Sequence, residues 1–454
     1  MTGGQRYLEA ARAGVIYQRE HFRTLSHDGQ YIIWAFGLEE NKLIVPSQDG
    51  FDKNTIPIYE QVYALAGLAQ FYRITLDWET LSDINRTVAA FDKFFLDPEF
   101  GGYFSHLDPA TLTPSSEALG INKLRKNWNS MGDHIPAYLI NLVLALDSLP
   151  ECDDTKYLCK FLAKCKTLLK TIASLILEKF PDPDPKVPFV YERFFEDWKP
   201  DLTWGWQQNR AICGHDLKIA WNLTRVANYH KTLNDEGFAE ALMKETTRLG
   251  DDMGILAVDQ IRSGILDAVE RQPKNNMPLE FVWWNTKDFW QQEQGILAYL
   301  ILYGSTDKSD YLAYAREITA FWNIFFVNHD DGDIYFRVTA NGLPYLVGNY
   351  RNKGGHAKSG YHTFELCYLA HIYTSTFVTG KSFCLHFKPE PNCGQQSINV
   401  LPDFFQPGTL KVKRINVNGV DRALIDPDNF RIELSPSEIG TEIIVEFAPQ
   451  SGNQ

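Results

Sequence analysis

The sequence lacks several features that define common protein classes. Its seven cysteines are odd in number and contain no paired CxxC spacing, so neither a disulfide framework nor a zinc knuckle is indicated. No window reaches 18 uninterrupted apolar residues, and the N-terminus has no apolar core of signal-peptide length. There is no G-x-G-x-x-G after a strand, no P-loop and no HExxH. These absences predict a cytoplasmic protein with no membrane span and no built-in nucleotide or zinc site.

The chain carries a net negative charge. Its formal net charge is −13 and its pI is about 5.4, which argues against binding to nucleic acid or to an anionic membrane, because both require clustered Lys and Arg. Of its 454 residues, 44% are hydrophobic and 13% are aromatic. This composition is sufficient for a substantial globular core.

A helical pattern fills the chain from about residue 6 to residue 380. Gln61 to Tyr72 is apolar on more than one face, which indicates an inner helix, whereas Asp154 to Lys170 has a charged side, which indicates an outer one. The clearest predicted helices are 56–74, 80–96, 132–149, 154–180, 214–231, 235–251, 287–303, 308–327 and 361–376.

The loops between helices repeat an acidic turn followed by glycine and an apolar pair, which is typical of a short hairpin. The four examples begin at His27, Asp97, Asp259 and Asp330. Units of two helices plus a hairpin predict about six stacked pairs, either closed into a toroid or open as a solenoid. The predicted domains are therefore a helical domain over 1–380 and a small C-terminal β appendage of structural role over 381–454, where apolar and polar residues alternate.

Three predicted helices begin with glycine, zero or one further residue, and then histidine: Gly132 before His134, Gly214 before His215, and Gly360 before His362. The positive end of a helix dipole disfavours a protonated imidazole, so such a histidine tends to remain neutral and able to accept a proton. A single case is more often a helix-start residue with a satisfied hydrogen bond. Three cases among tryptophans and carboxylates instead favour one polar site.

Five segments in order along the chain resemble the N-acylglucosamine 2-epimerase superfamily, which includes cellobiose 2-epimerases and mannose isomerases. The segments are Asp97-Pro-Glu-Phe-Gly-Gly-Tyr-Phe104, Lys126-Asn-Trp-Asn-Ser-Met-Gly-Asp-His134, Gly214-His-Asp-Leu-Lys-Ile-Ala-Trp221, Phe289-Trp-Gln-Gln-Glu293 and Lys358-Ser-Gly-Tyr-His362. The resemblance implies an all-α fold, an (α/α)6 barrel, and an enzyme that moves a proton at C2 of a sugar through an enediolate, with neither metal nor cofactor.

The resemblance also implies roles for individual residues. His215 and His362 would be the acid/base pair on opposite faces of the opened sugar, His134 would contact the sugar, and Glu293 would help orient the site. The remaining expected substrate-binding residues are Trp128, Asn129, Trp206, Trp290 and Tyr361. The expected partner is a small-molecule sugar, and the sequence leaves a homodimer open.

The chain departs from this family at several positions. The family usually has a glutamate three residues after the first histidine, where this chain has Lys218. Where the family has an arginine in an early inner helix, this chain has the stretch that begins at Gln61. That partner for the oxyanion is therefore either missing or supplied elsewhere, for example by Arg125 or Arg210. Beyond His362, where the family often has an arginine, the chain has Phe364 and Glu365.

Two other functional classes fit the same barrel. A glycoside hydrolase or lyase would use paired carboxylates, for which the candidates are Asp133, Asp216, Asp259 and Glu293. A non-catalytic carbohydrate-binding protein would retain the aromatic cavity without the chemistry. Acidic turns such as Asp251-Asp252 and Asp330-Asp331-Gly332-Asp333 lack EF-hand spacing and are assigned to loops.

Overall fold

A computed structural model describes residues 3–147, 156–272, 279–283, 285–355, 358–393, 396–424 and 426–450. The helices are α1 (Gln5–His21), α2 (Ile58–Thr75), α3 (Trp78–Ala90), α4 (Trp128–Met131), α5 (Ile140–Leu146), α6 (Lys156–Lys179), α7 (Cys213–Thr232), α8 (Glu236–Leu256), α9 (Phe289–Thr306), α10 (Ser309–Phe321) and α11 (Gly360–Tyr373). Among these residues, no helix has both the length and the apolar character needed to cross a bilayer. Of the tryptophans and cysteines in the sequence, Trp284 and Cys152 lie outside the described residues.

All nine predicted helices are present where the structure describes the chain, and four include a π-helical turn. Such turns extend α3, α10 and α11 at Phe91–Phe95, Trp322–Phe326 and Thr374–Val378, and a fourth at Ile135–Leu139 precedes α5. One boundary is wrong: the helix predicted to start at residue 132 begins at Trp128. Asn127 starts it earlier through a capping box, in which its side chain accepts from the Ser130 N–H at 2.7 Å and Ser130 Oγ accepts from the Asn127 N–H at 3.0 Å.

The helices form an inner and an outer layer. The inner helices α7 and α9 bury almost all of their residues, whereas the outer helix α6 buries one stripe from Leu158 to Ile176. Each inner helix packs against an outer one, as α7 does against α8 and α9 against α10. The Tyr63 ring of α2 lies 4.9 Å from the Tyr361 ring of α11, so the ends of the inner layer meet and the helices close into a toroid.

Short two-stranded sheets connect the helices. They pair β1 (Arg23–Leu25) with β2 (Ile32–Trp34), β3 (Gly37–Glu39) with β4 (Lys42–Ile44), β5 (Ile56–Pro57) with β6 (His106–Leu107), β7 (Arg125–Asn127) with β8 (Arg193–Phe195), β9 (Arg210–Ile212) with β10 (Ala268–Glu270), β11 (Thr286–Asp288) with β14 (Arg337–Thr339), and β12 (Val327–Asn328) with β13 (Asp333–Ile334). The predicted hairpins at His27 and Asp330 are β1–β2 and β12–β13. Those at Asp97 and Asp259 are closed by the single bridges Leu96–Tyr103 and Val258–Ile265.

A buried lysine stands two residues before three of the inner helices and reaches back to an aspartate of the preceding hairpin. We call these three ion pairs the hairpin clasps. Lys126 pairs with Asp97 at 2.6 Å, Lys287 with Asp259 at 2.9 Å, and Lys358 with Asp333 at 3.1 Å. Each lysine also donates to a backbone carbonyl, so the clasp joins the hairpin to the start of the helix.

The chain after residue 380 forms the predicted β region. Its antiparallel sheet has the order β15 (Phe383–Phe387), β20 (Ile443–Pro449), β17 (Leu410–Val417) and β18 (Val420–Arg422), and β16 (Ser397–Asn399) pairs with β19 (Arg431–Glu433). Residues 401–405, between β16 and β17, pack against the barrel. Asp403 is fully buried and accepts three hydrogen bonds from Arg225 of α7, while Arg73 of α2 donates to the carbonyls of Leu401 and Pro402.

Candidate active site

His215 and His362 lie in the first turns of α7 and α11, as their Gly-His motifs predict. Gly214 is needed for the approach of α9, because a Cβ at this position would lie 2.8 Å from side-chain atoms of Trp290 and Gln291. The Gly214 N–H also donates to the Gln291 side-chain oxygen at 3.0 Å. The glycine therefore brings the start of α7, with His215, close to α9.

A buried glutamate contacts the Nδ1 atom of each histidine. His215 Nδ1 lies 2.6 Å from Glu192 Oε2, and His362 Nδ1 is hydrogen-bonded to Glu293 Oε2. Both glutamates are almost fully buried, whereas the histidine side chains retain 14% and 17% of their exposure. Each imidazole is thus held from behind by a carboxyl group and is partly open on its other side.

Trp290 of α9 brings the two histidine–glutamate pairs into one site. Its ring centroid lies 5.2 Å from that of His215 and 6.1 Å from that of His362. The Trp128 ring packs on the other side of His215 at 6.0 Å, and Tyr361 lies 5.1 Å from His362. The two histidines expected to act together therefore share one aromatic-walled region.

The Lys218 side chain extends from α7 and contacts polar residues of other elements. Its ammonium lies 2.7 Å from Asp133 Oδ1 and donates to the Tyr63 hydroxyl at 2.7 Å, and Asn129 donates to Asp133 Oδ2 at 2.9 Å. Burial and the Asp133 charge hold the pKa of Tyr63 well above its usual value, so the phenol keeps its proton. The amide of Asn129 is thus occupied by Asp133.

The pKa values of the two glutamates that contact the histidines are shifted in opposite directions. Burial alone would raise the pKa of Glu192, but His215, Gln207 and the Ile212 N–H outweigh it and lower the pKa below its usual value, so this carboxylate is ionised. Burial raises the pKa of Glu293 well above its usual value. Burial, reinforced by the charge of Lys218, lowers the pKa of His362 to about 3.

Glu365 stands beside this second pair. It accepts a hydrogen bond from the Tyr361 hydroxyl at 3.1 Å. Burial and the charge of Glu293 raise the pKa of Glu365 to about 8. The family departures at Lys218 and Glu365 therefore belong to one electrostatic cluster, since Lys218 also acts on Glu365, Glu293 and His362.

A cavity of about 260 Å³ opens beside His362. It lies between the N-terminal hairpins, α2 and α11. The residues that line it are Gln18, Phe22, Trp34, Ala35, Phe36, Tyr59, Glu60, Gln61, Tyr63, Ala64, Ser359, Tyr361 and His362. Aromatic rings with a few polar groups are the lining that a sugar needs, because apolar sugar faces stack on rings and hydroxyls need partners.

Of the expected site residues, His362 and Tyr361 line this cavity, whereas His215, Glu293, Trp128, Asn129 and Trp290 do not. Two further expected substrate-binding residues lie apart from both histidine–glutamate pairs. His134 is fully buried between Phe91 and Tyr103, and its Nδ1 is 2.7 Å from the Tyr138 hydroxyl. Its helix begins at Trp128, four residues earlier than predicted, so His134 is not in a first turn. Trp206 is 36% exposed and packs on Trp283 at 5.3 Å, with no ring contact to either site histidine.

Arg125 and Arg210, the two candidates to replace the missing family arginine, form ion pairs with other carboxylates. Arg125 pairs with Asp201 at 2.7 Å and Arg210 with Glu270 at 2.9 Å. Gln61, at the position of the family arginine, exchanges two hydrogen bonds with the backbone of Trp34 and fixes the β2 strand against α2.

Most carboxylates suggested for hydrolysis are also committed to structural contacts. Asp133 pairs with Lys218 and Asp259 with Lys287, and Asp216 accepts the Val190 N–H at 3.0 Å. Glu293 alone of these candidates contacts a site histidine.

The site contains residues that the sequence motifs did not identify. Glu192 precedes β8 in a region without periodic pattern, and Tyr63 lies within an apolar helix, so neither carries a signal of its own. Lys218 and Glu365 were noticeable only as departures from a family pattern. Their spacing, three residues after each site histidine, places each on the same helix face as its histidine.

The fold belongs to the class of (α/α)6-barrel proteins, and solved sugar-active enzymes share it. No known family model and no curated protein sequence matches the chain. The cellobiose 2-epimerase from Spirochaeta thermophila DSM 6192 superposes with a TM-score of 0.62 at 17% identity, covering 82% of this chain and 81% of that one. A sugar epimerase from a ruminal bacterium gives 0.60 at 16% identity, covering 81% and 82%. A D-mannose isomerase gives 0.58 at 19% identity, covering 82% of each chain. At these identities the likeness confirms the predicted fold.

Proposed function

We propose that the protein is a carbohydrate 2-epimerase or aldose–ketose isomerase of the N-acylglucosamine 2-epimerase type. The observation that carries the proposal is the pair of histidine–glutamate contacts whose imidazoles both lie near the Trp290 ring. Two imidazoles oriented by carboxyl groups around one aromatic wall are what proton transfer at a sugar C2 requires. The shared fold with sugar epimerases and isomerases supports the same conclusion.

In the proposed reaction His215 and His362 exchange protons with the substrate carbon through Nε2. Glu192 orients His215 through Nδ1 and, as an anion, stabilises its protonated form. Removal of the C2 proton creates an enediolate, whose oxygen needs a hydrogen-bond donor. We assign that donor to the Tyr63 hydroxyl, which lines the cavity and accepts a hydrogen bond from Lys218. In the reaction this hydroxyl would shift its own hydrogen bond from Asp133 Oδ1, 3.2 Å away, to the enediolate oxygen.

The proposal is tested by incubating the protein with mannose, glucose, N-acetylmannosamine and cellobiose in D2O. We expect deuterium at C2, or an isomerised product, with at least one sugar, detected by NMR. His215→Gln and His362→Gln should each abolish it, whereas His386→Gln, in the β region, should not. Binding of a sugar with neither exchange nor product would instead identify a carbohydrate-binding protein, and release of a monosaccharide from cellobiose would identify a hydrolase.

A further inference from the structure

Two glutamates contact each other beside His362. Glu293 of α9, which is fully buried, and Glu365 of α11 are hydrogen-bonded through their side chains. Two ionised carboxylates have no proton to donate and repel each other, so a hydrogen bond between them requires that one is a carboxylic acid. The contact therefore requires one proton on the pair.

The other hydrogen bonds of the pair indicate which oxygens hold this proton. Glu293 Oε2 is hydrogen-bonded to His362 Nδ1 and also accepts from Gln294 Nε2 at 2.9 Å. Glu365 Oε1 accepts from the Tyr361 hydroxyl at 3.1 Å. The second oxygens, Glu293 Oε1 and Glu365 Oε2, are buried and accept from no N–H or O–H group of the described chain. A proton between these two oxygens gives each of them a partner, as buried carboxyl oxygens require.

The charges around the pair favour retention of the proton. Lys218 and Arg225 are the cations that act on these carboxyl groups. Each is already paired with an aspartate, Lys218 with Asp133 at 2.7 Å and Arg225 with Asp403 at 2.6 Å. The other titratable groups facing the pair or His362 are Tyr63 of α2, His215 of α7, and Tyr361 and Cys367 of α11.

Burial raises the pKa of Glu293 well above its usual value. Burial and the charge of Glu293 raise the pKa of Glu365 to about 8. At neutral pH the pair therefore carries one proton and a single negative charge.

We propose that Glu365 is a positioning residue for the proton transfer, because the proton that it shares with Glu293 determines how Glu293 meets His362. With the proton between the second oxygens, Glu293 Oε2 remains an acceptor. His362 Nδ1 then carries the N–H, and Nε2 keeps the lone pair that exchanges a proton with the substrate. The positioning role rests on the proposed function, whereas the shared proton does not.

The shared proton also weakens the negative charge next to His362. One charge is spread over two carboxyl groups here, whereas Glu192 presents a full charge to His215. A weaker anion stabilises an imidazolium less, so Glu365 helps to make His362 the weaker base of the two. A weaker base gives its proton back more readily, which suits His362 to return a proton to the enediolate.

The shared proton is tested by NMR on the full chain, labelled with ¹³C in the side-chain carboxyl of glutamate. We expect two resonances to move together as pH rises through about 8, and this joint titration to be missing in Glu365→Gln. Glu192→Gln is the matched control. It removes a resonance that is already in the ionised position at neutral pH, because the pKa of Glu192 is lowered, and it should leave the joint titration unchanged.

Two results would overturn the shared proton. One is the absence of any glutamate resonance that titrates near pH 8, and the other is a joint titration that persists in Glu365→Gln. Circular dichroism checks the folding of both variants. If Glu365→Gln does not fold, the unaltered protein still decides the question, because a shared proton moves two resonances with one midpoint.

The positioning role is tested by the pH dependence of kcat/KM on whichever sugar is turned over. The unaltered protein should lose activity as pH rises through about 8, because two ionised carboxylates repel and Glu293 leaves His362 Nδ1. Glu365→Gln should lack this loss, because its amide donates to Glu293 and has no proton to release in this range. A loss of activity at the same pH in Glu365→Gln would overturn the positioning role.

The two proposals fail in different ways. If no sugar is turned over, the proposed function fails and the positioning role fails with it, whereas the NMR titration still decides whether the proton is shared. If a sugar is turned over and no joint titration is found, the proposed function stands and the inference about Glu365 falls.

Discussion

At the scale of single residues, the two site histidines differ in the carboxyl group that holds each ring. Glu192 is ionised and has three hydrogen-bonding neighbours, whereas Glu293 is crowded by a second carboxyl group. An anionic partner favours an imidazole that takes up a proton during the reaction. Within the proposed function, His215 is therefore the stronger proton acceptor.

We expect Glu192→Gln to reduce kcat/KM by about 10²-fold, because glutamine orients the imidazole less strictly and does not stabilise its charged form. Steady-state rates on whichever sugar is turned over measure the effect. Glu270→Gln, which alters a carboxylate paired with Arg210, serves as the control and should remain within twofold. An equal rate for Glu192→Gln and the unaltered protein would show that Glu192 has no part in the reaction.

His134 should make the protein sensitive to acid. Burial lowers its pKa to about 3, below the value of about 6.5 in an unfolded chain, so the folded state binds the proton less readily. The stability present above about pH 6.5 is therefore lost as pH falls towards 3, and the loss between pH 7 and 5.5 is on the order of 1 kcal/mol. His134→Phe should remove this loss, as measured by urea unfolding at both pH values.

The exposed His27 provides the comparison for that experiment. His27→Gln should leave the pH dependence of unfolding unchanged. The relevant readout is the difference in the free energy of unfolding between pH 7 and pH 5.5. The value at one pH alone would also include the loss of the Tyr138 hydroxyl's partner in His134→Phe. An unaltered pH dependence in His134→Phe would contradict the explanation.

Sequence could identify some of these residues and not others. His215 and His362 were predicted because glycine and helix periodicity are local signals, and both lie in first turns. His134 was misplaced because Asn127 caps its helix earlier. Glu192 reaches His215 across a sequence separation of 23 residues, and no local pattern encodes that contact. Distant polar pairs depend on the folded arrangement of the chain.

At the scale of elements, the hairpin clasps connect each hairpin to the helix that follows. Lys126 and Lys287 are fully buried, and their aspartates are almost as buried. Lys358 is also buried, but Asp333 retains 38% of its exposure. A buried ion pair that loses one partner leaves an uncompensated charge, which costs more than an exposed pair does.

We expect Lys287→Met to lower the free energy of unfolding by about 3–5 kcal/mol, because Asp259 would remain buried without its cation. Lys358→Met should cost less, since water reaches Asp333. Urea denaturation of both variants shows which substitution lowers the free energy of unfolding more. The explanation fails if Lys358→Met is as damaging as Lys287→Met.

The elements themselves were largely predictable. Helix periodicity and acidic Gly turns are repeated local patterns, and both the helices and the four hairpins were found near their predicted positions. The hairpin clasps were not predicted, although the lysine and the aspartate of each pair lie in or beside predicted elements. A lysine just before a helix is usually solvated, so its sequence position does not indicate burial. Burial of the three lysines depends on stacking of the repeated units, which local sequence does not show.

At the scale of the whole molecule, the β region completes the barrel from outside the helical layers. Its β structure was predicted from alternating residues, but residues 401–405 lie between strands and carry no periodic signal. Asp403 nevertheless accepts from Arg225 and from the Tyr373 hydroxyl at 3.1 Å. The division at residues 380 and 381 remains a prediction.

We expect Asp403→Asn to destabilise the helical barrel by about 3–5 kcal/mol, because Arg225 would keep a buried charge with no anion. Thermal unfolding followed at the helical circular dichroism signal measures this. Asp421→Asn, on the exposed strand β18, is the control and should shift the transition little. Melting of the β region alone, with the helical signal intact, would argue against the proposed coupling.

The contacts of residues 401–403 also set an order for biosynthesis. Arg73 and Arg225 leave the ribosome long before the segment that neutralises or caps them, since 328 and 178 residues separate these partners along the chain. A nascent chain that already contains every helix still has these two guanidinium groups without their final acceptors. Translation must therefore pass residue 403 before the helical toroid reaches its full stability, and a shorter nascent chain is more exposed to chaperones and proteases.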